Sequence, residues 1–526
     1  AEEELTAAGE ALDAWRATLT DRELRVWAFQ ASASDESDRN SSVARVVAAL
    51  AGGGRVAPAF ALAERRRARE LGDRMLGAAS WRTGGTAGRG GGGEQEGGRA
   101  AYVSQGEIAA LIPDDQTALI EFVTGAQGAP TTAFVVTRKH TAGGGAVRLA
   151  PADSLTGEIA RFVALVARGE AAEAEGAALG ALLLAPVLAR MPAGVTRLVI
   201  VPDGPLHRVP WDALRLPNRR YLVERYTIAL APSAGVLAAL WNRPPTARAP
   251  GGLASVLAFG DPEFSPDTGG YAAVFAAHGG LPRLRGSGRE ARNVALHSDH
   301  GQVRLRSAAT AEYLLGNPMD GYGVIHLATH AVVDDRAISG TALALAPGGS
   351  DDGFVTPGDL ASLRLDADVV VLSACRTAGG VVVDGEGIQG LTAPLLQAGA
   401  RSVVATSWRV RDRSTVKMVN GFYEELAAGK PVAEALRAAK LAAIERGEAP
   451  AVWAAFTVVG DPLTVVPLQS TGSTGGSRLT IALVAATGLL AATLAASLAY
   501  QRRGRRGRKD EARGSDPSVT SRTHQR

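Results

Sequence analysis

Short apolar runs bounded by polar or turn-forming residues recur through the middle of the chain, and stretches with apolar positions three and four apart lie between many of them. The runs predict strands at 117–123, 132–137, 197–201, 255–259, 323–328, 368–373, 402–407 and 455–459. The stretches with helical spacing predict helices at 155–168, 172–190, 388–398, 415–428 and 432–446. Apolar strands separated by helices argue for a largely parallel sheet covered on both faces, an α/β architecture. There are enough strands for two such units, one before and one after about residue 245, where Arg243-Pro244-Pro245 breaks the pattern.

The ends of the chain follow other patterns. Residues 1–80 have helical spacing: Leu5, Leu12, Trp15 and Leu19 share one face, and 61–76 reads as a second, basic helix. A Gly-rich insert at 81–101 has no means of building a core. Residues 467–478 form a Ser/Thr/Gly linker. The 22 uncharged residues 479–500 that follow are long enough to span a bilayer, and a run of arginines comes directly after them. This predicts a transmembrane helix and a single-pass membrane protein. By the positive-inside rule the basic, disordered tail at 501–526 is cytoplasmic and the large body lies on the other side. The chain opens on Ala1 rather than methionine, which points to a fragment or processed form with any signal peptide out of view.

Length predicts about two to four domains. The net charge of +3 hides an asymmetry: residues 502–526 hold nine Lys/Arg and three Asp/Glu, so the rest of the chain is near −3. Such a body is not a nucleic-acid binder by charge. A single cysteine excludes an internal disulfide framework and a cysteine-based zinc cage.

That cysteine is the most informative residue. Val324-Ile325-His326-Leu327-Ala328-Thr329-His330 and Val369-Val370-Val371-Leu372-Ser373-Ala374-Cys375 are two buried-strand patterns, each ending in a reactive side chain. In α/β sheets the chemistry sits at strand carboxyl ends. A thiol beside an imidazole is a candidate nucleophile and base, with His330 taking the proton of Cys375 and the backbone amides of Ala331 and Cys375 holding an oxyanion. From the residues alone, a lone cysteine after an apolar strand is more often just a small buried hydrophobe. His326 lies inside the strand and is expected to make a structural hydrogen bond. His326-x-x-x-His330 lacks the glutamate and the helix of a zinc motif, so no metal is expected. Gly385-x-Gly387-x-x-Gly390 and Gly286-x-Gly288-x-x-Ala291 resemble dinucleotide fingerprints only formally, and no cofactor is expected.

Over roughly residues 102–462 the chain resembles the CHAT domain, a caspase-like peptidase module often found beside helical TPR repeats. The resemblance is carried by ordered blocks: Leu198-Val199-Ile200-Val201-Pro202-Asp203-Gly204-Pro205-Leu206, Val209-Pro210-Trp211-Asp212-Ala213-Leu214, Ala258-Phe259-Gly260-Asp261-Pro262, the two His and Cys runs, Ser407-Trp408 and Gly460-Asp461-Pro462. It implies a caspase-like three-layer αβα sandwich, with a degenerate unit at 102–245 and a catalytic unit at 246–466. It also implies that His330 and Cys375 are the catalytic pair, and that the helical segment at 1–80 is the end of a TPR-like array engaged by an activating protein partner. Alanine stands at 331, where the family usually has glycine. Ser373 replaces the acidic residue that relatives cutting after Arg or Lys can carry two positions before the nucleophile, and Asp384 and Glu386 are alternative pocket residues. Glu386 is otherwise a loop buttress, and His207 a scaffold residue. The implied function is a membrane-anchored cysteine endopeptidase acting on protein substrates. The alternatives are a non-catalytic signalling scaffold and an acyl-transfer enzyme using the same pair.

Overall fold

The computed structural model describes residues 36–65, 67, 71–72, 75, 103–125, 127–139, 145–249, 251–264, 281–334, 340–349, 351–374, 376–383, 387–410 and 412–471. The strands are β1 (Thr117–Val123), β2 (Thr131–Thr137), β3 (Ala146–Leu149), β4 (Arg197–Val201), β5 (Thr227–Leu230), β6 (Val256–Pro262), β7 (Gln302–Arg306), β8 (Val324–Ala328), β9 (His330–Val332), β10 (Ala342–Ala344), β11 (Phe354–Val355), β12 (Val369–Leu372), β13 (Gly380–Val383), β14 (Gly387–Gly390), β15 (Ser402–Thr406) and β16 (Phe456–Gly460). The helices that frame the site are α1 (Glu36–Gly52), α2 (Val56–Glu64), α3 (Gln105–Leu111), α4 (Asp153–Arg168), α5 (Ala234–Asn242), α6 (Arg285–Ala295), α7 (Thr392–Ala398), α8 (Asp412–Ala427) and α9 (Val432–Glu445).

Eleven strands form one mixed sheet in the order β3-β2-β1-β4-β5-β16-β15-β12-β8-β6-β7. Its central strands are buried on both faces, which is why they read as unbroken apolar runs. On one face α4 presents Leu155, Ile159, Phe162 and Val166, spaced three and four apart, beside α6, α8 and α9. The opposite face is covered by α1, α2, α3 and α5 over the first half of the sheet, and by α7 with Ala311–Gly316 and Pro357–Ser362 over the second. The break expected near residue 245 therefore separates two halves of a continuous sheet, not two sheets. β16, from the far end of the described chain, is inserted at the seam. It runs antiparallel to β15 and bridges β5 at the single pair Val459 and Leu230. The stretches after β4 and β5 (Pro202, His207, Ala231 and Pro232) line one cavity with Ala378 and Ser407, which follow β12 and β15, so the carboxyl ends of both halves meet at one edge.

Three sequence expectations are corrected by the structure. The helix expected at 172–190 is divided into Glu173–Leu179, a π turn at Gly180–Leu184, and Ala185–Leu188. Gly180 lies so close to the Arg215 carbonyl that a side chain would meet it at 2.2 Å, and Pro186 contributes no amide to the ladder. The helix expected from residue 388 begins only at Thr392, because Gly387–Gly390 pairs with β13 as a hairpin. The single-pass membrane reading is the third. Among the described residues no helix is long and apolar enough to cross a membrane, and a bilayer placement has no support in the structure. The segment 479–500 that prompted it lies outside the described residues, as do the first helix of the 1–80 segment, the Gly-rich insert and the basic tail.

The seam between the halves is held by buried charge. Lys440 of α9 places Nζ 2.7 Å from Oδ2 of Asp212 in the 3-10 turn Trp211–Ala213. Both groups are buried. Burial pushes the Asp212 carboxyl up and the Lys440 ammonium down, and each partner opposes the other's shift. Nearby, Arg437 of α9 donates to the carbonyls of Val223 and Glu224. Breaking one side of a buried pair leaves an uncompensated charge. We expect Lys440→Met to lower unfolding free energy by roughly 3–5 kcal/mol, and Lys440→Met with Asp212→Leu to recover most of that loss. Urea denaturation of the three proteins checks this.

Candidate active site

β8 and β12 are adjacent and parallel, in register from Val324 opposite Val369 to Leu327 opposite Leu372. The Ser373 amide extends that ladder, donating to the Leu327 carbonyl at 3.0 Å. The two strands thus end side by side. Beyond β8 the chain bends: the Thr329 hydroxyl donates to the Ala344 carbonyl, and His330 opens β9 opposite Ala344 in a separate three-stranded sheet. His330 is buried, with its ring 5.3 Å from that of Phe264. Its Nε2 lies 2.7 Å from the Pro282 carbonyl oxygen. A carbonyl only accepts, so Nε2 carries the hydrogen, and in the neutral form of the ring the lone pair is on Nδ1. That is the tautomer of a base. Ala331 stands in β9 opposite Leu343, in strand backbone, so alanine occupies the position without the strain of a left-handed turn.

Cys375, Asp384 and Glu386 lie outside the described residues. What holds the cysteine-bearing turn is described on both sides of it. The Thr377 hydroxyl donates to the Leu372 carbonyl at 3.2 Å and accepts from the Thr406 amide at 2.9 Å. The Thr406 hydroxyl donates to the Ala374 carbonyl, and the Ala378 amide to the Thr406 carbonyl. Two buried threonines therefore staple the turn to the end of β15. Arg376 adopts φ 57°, a conformation uncommon for any residue other than glycine. Ser373 is buried, and its hydroxyl has no hydrogen-bond partner. In β14, a side chain at Gly390 would meet the Gly379 carbonyl at 2.1 Å, so this glycine serves close packing of the hairpin.

His326 is fully buried and faces away from His330. Its Nε2 is 2.9 Å from Glu290 Oε1 on α6, and its Nδ1 is 3.3 Å from the Tyr423 hydroxyl on α8. It is a structural tie between the sheet and that helical layer. Among the described residues, no group of three or more His, Cys, Asp or Glu is placed to hold a metal ion.

A second polar cluster lies beneath the helical segment. Glu64, at the end of α2, accepts from the Ala234 and Gly235 amides and so caps α5. Arg67 donates to the carbonyls of Pro202 and Phe122. Its Nε is 3.2 Å from Glu121 of β1, and Nη2 is 3.6 Å from Asp203. Burial, then the neighbouring Glu64 charge, pushes the Glu121 carboxyl well above its ordinary range against the pull of Arg67. Burial also raises Glu64. Burial opposes ionisation of Asp203 too, but Arg67 and the Thr124 amide and hydroxyl hold it below its ordinary value. Burial lowers His207 to about 4, with Arg67 adding to the shift and Asp203 opposing it, so this ring is neutral at pH 7. The His207 ring lies where a side chain at Gly387 of β14 would meet it at 3.3 Å, and it lines a cavity of about 70 Å³ together with Leu71, Trp211, Ala378, Ile388 and Ser407. Contacts thus run from the helical segment to the hairpin that follows the cysteine turn.

Sequence reasoning missed Pro282 and Arg67. A backbone carbonyl leaves no residue signature, and Arg67 stands in a run of three arginines in which nothing marks the inward-facing one. The positions of His330, Ala331 and Ser373 at one sheet edge were legible from the strand patterns.

The family model described as the CHAT domain matches residues 173–461. The chain is 27% identical over 318 residues to mouse tetratricopeptide repeat protein 28, covering 54% of this chain and 13% of that protein. It is 25% identical to the human protein of the same name, covering 12% of it, so the chain spans about an eighth of the length of these relatives. Among solved structures it is similar to separase in the Saccharomyces cerevisiae separase–securin complex, with a TM-score of 0.49 and 10% identity over 85% of this chain and 38% of that one. It is also similar to the Arg-specific cysteine proteinase gingipain R, with a TM-score of 0.35 and 12% identity over 60% of this chain and 76% of that one.

The raised Glu121 carboxyl sets a pH dependence. A carboxyl raised in the folded state stabilises most below its unfolded value, near 4.5, and loses that contribution as pH climbs toward the folded value. The Glu121 contribution to stability should therefore fall with rising pH above about 4.5. We expect Glu121→Gln, which stays neutral, to make that fall shallower. Denaturant midpoints measured from pH 5 to 9 test the sign.

Proposed function

Because the chain belongs to the CHAT domain family, we propose that it is a caspase-like cysteine endopeptidase in which His330 and Cys375 act together on protein substrates. The observation that carries this reading is the register of β8 and β12, which ends the two motif-bearing strands side by side, with His330 held as the Nε2–H tautomer by Pro282. In the proposed cycle Nδ1 of His330 takes the thiol proton of Cys375. The thiolate adds to the scissile carbonyl, and the amides of Ala331 and Cys375 hold the oxyanion. Collapse breaks the C–N bond, the departing amine takes the proton from His330, and water then hydrolyses the thioester. Ser373 gives the pocket beneath the scissile residue a hydroxyl and no negative charge, which leaves Asp384 and Glu386 as the acidic candidates for binding a basic side chain.

The first half, 102–245, is read as a degenerate unit. The stretches that follow its strands β4 and β5 carry no cysteine and line one cavity with the segments after β12 and β15, which suits a supporting role. The helical segment is read as the point where an activating protein partner engages. Support comes from Glu64 and Arg67, which tie it to β1, β4 and α5, and from His207, which links that cluster to the hairpin after the cysteine turn. Activation by a partner implies low basal turnover of the chain alone.

A peptide-library cleavage profile of the full chain with its partner tests the activity. We expect Cys375→Ser and His330→Ala each to lose roughly 10³-fold or more in kcat/KM. A Cys375→Ser protein that cleaves at the wild-type rate would overturn the assignment.

A further inference from the structure

The hydrogen bond that sets the His330 tautomer comes from a strap, Leu281 to Leu284, that no catalytic motif contains. Pro282 has no amide proton, so the Leu281–Pro282 peptide unit has no N–H with which to anchor itself. Its anchorage comes from the next residue. Arg283 lays its guanidinium fork on Asp261 at the end of β6, with Nε 3.0 Å from Oδ1 and Nη2 2.8 Å from Oδ2. Asp261 is itself fixed. It is buried to 6% exposure, its amide accepts no freedom because it donates to Ser287 Oγ at 2.8 Å, and the same Ser287 hydroxyl donates to the Leu284 carbonyl at 2.9 Å. The strap is thus pinned through Arg283 and Leu284, directly after the carbonyl that holds His330.

Asp261 also holds φ at +45°, although it is not glycine. A residue other than glycine stays in that region only where its surroundings over-determine it. Here they do: the Arg283 fork, the Ser287 hydroxyl and, at 3.7 Å, Arg306, whose other partner is the exposed Glu263 at 3.0 Å. β6 lies beside β8 in parallel register, Gly260 opposite Ala328, so the pinned end of β6 is adjacent to the bend that carries His330.

We propose that Asp261 and Arg283 are positioning residues for the catalytic imidazole, acting through the Pro282 carbonyl to hold His330 in the Nε2–H tautomer and orientation in which Nδ1 accepts the thiol proton. The proposal rests on the peptidase reading above. The bidentate geometry matters because two parallel charge-assisted hydrogen bonds fix the direction of the guanidinium, and with it the peptide plane next door, where a single contact leaves a hinge.

The test is the pH dependence of alkylation of the full chain by iodoacetamide, which reports the thiolate of its single cysteine. In the wild-type protein the midpoint should lie below that of an ordinary thiol, about 8.5, and His330→Ala should return it there. Asp261→Asn keeps the side chain's shape, and Asn tolerates positive φ, so the backbone is not the obstacle. We expect it to move the midpoint about one unit toward that of His330→Ala, which is roughly a tenfold loss of rate at pH 6.5. Arg283→Lys keeps the charges and loses the fork, and should fall between. Glu263→Gln removes a neighbouring charge outside the brace and should match the wild type. A midpoint for Asp261→Asn, or for Arg283→Lys should Asp261→Asn not fold, that coincides with a His330-dependent wild type overturns the brace and leaves the dyad standing. A wild-type profile that coincides with His330→Ala sinks the dyad and the proposal together.

Discussion

The parallel pairing of β8 with β12 is the constraint on which the site depends. A side-chain period of two means that a slip of one residue in either strand would move Leu327 or Leu372 into the opposite buried layer and put the two strand ends out of step. Successive residues of both strands pack into opposite layers, Val324, Val369 and Val371 on one side and Ile325, Leu327, Val370 and Leu372 on the other, and the Ser373 amide on the Leu327 carbonyl carries the register up to the cysteine turn. From there each reactive loop is held by its own set of hydrogen bonds: Thr329 on Ala344 and Pro282 on His330 for one, Thr377 and Thr406 for the other. Strands fix the spacing and the threonine staples fix the turn.

The first half of the molecule meets that edge directly. Pro202, His207, Ala231 and Pro232, beyond β4 and β5, line one cavity with Ala378 and Ser407, beyond β12 and β15. The hairpin β13–β14 packs on Gly204–Arg208 beside it. The buried Glu64–Arg67–Glu121–Asp203 cluster sits at the far side of that contact. A buried charge cluster is a poor source of net stability but is sensitive to the loss of any member. That sensitivity is what the proposed engagement of a partner at the helical segment would use.

Much of this was legible in the sequence. Strands β1 and β4 begin and end where the apolar runs do, since both faces of those strands are buried and the boundary residues are polar. The pieces that were not legible share physical causes. β7 lies at the sheet edge and carries Gln302, Arg304 and Arg306, so it has no apolar run to read. β9, β10 and β14 are too short for a period to show. The helix at 172–190 reads as continuous, because the close approach of Gly180 to Arg215 is a tertiary fact. At the site, His330 and Ser373 follow from pattern, while the Pro282 carbonyl, the Asp261–Arg283 fork and the inward turn of Arg67 depend on which backbone comes near and could be found only in three dimensions.

The central claim is that this strand pairing makes Cys375 a nucleophile through His330. Its most direct measurement is intact-mass analysis of the activated full chain after exposure to an electrophilic peptide ketone. The account predicts one covalent equivalent, located on Cys375 by peptide mapping, and strongly reduced labelling in His330→Ala. An activated wild-type protein that takes up no ketone, or one that labels equally well without His330, would contradict it.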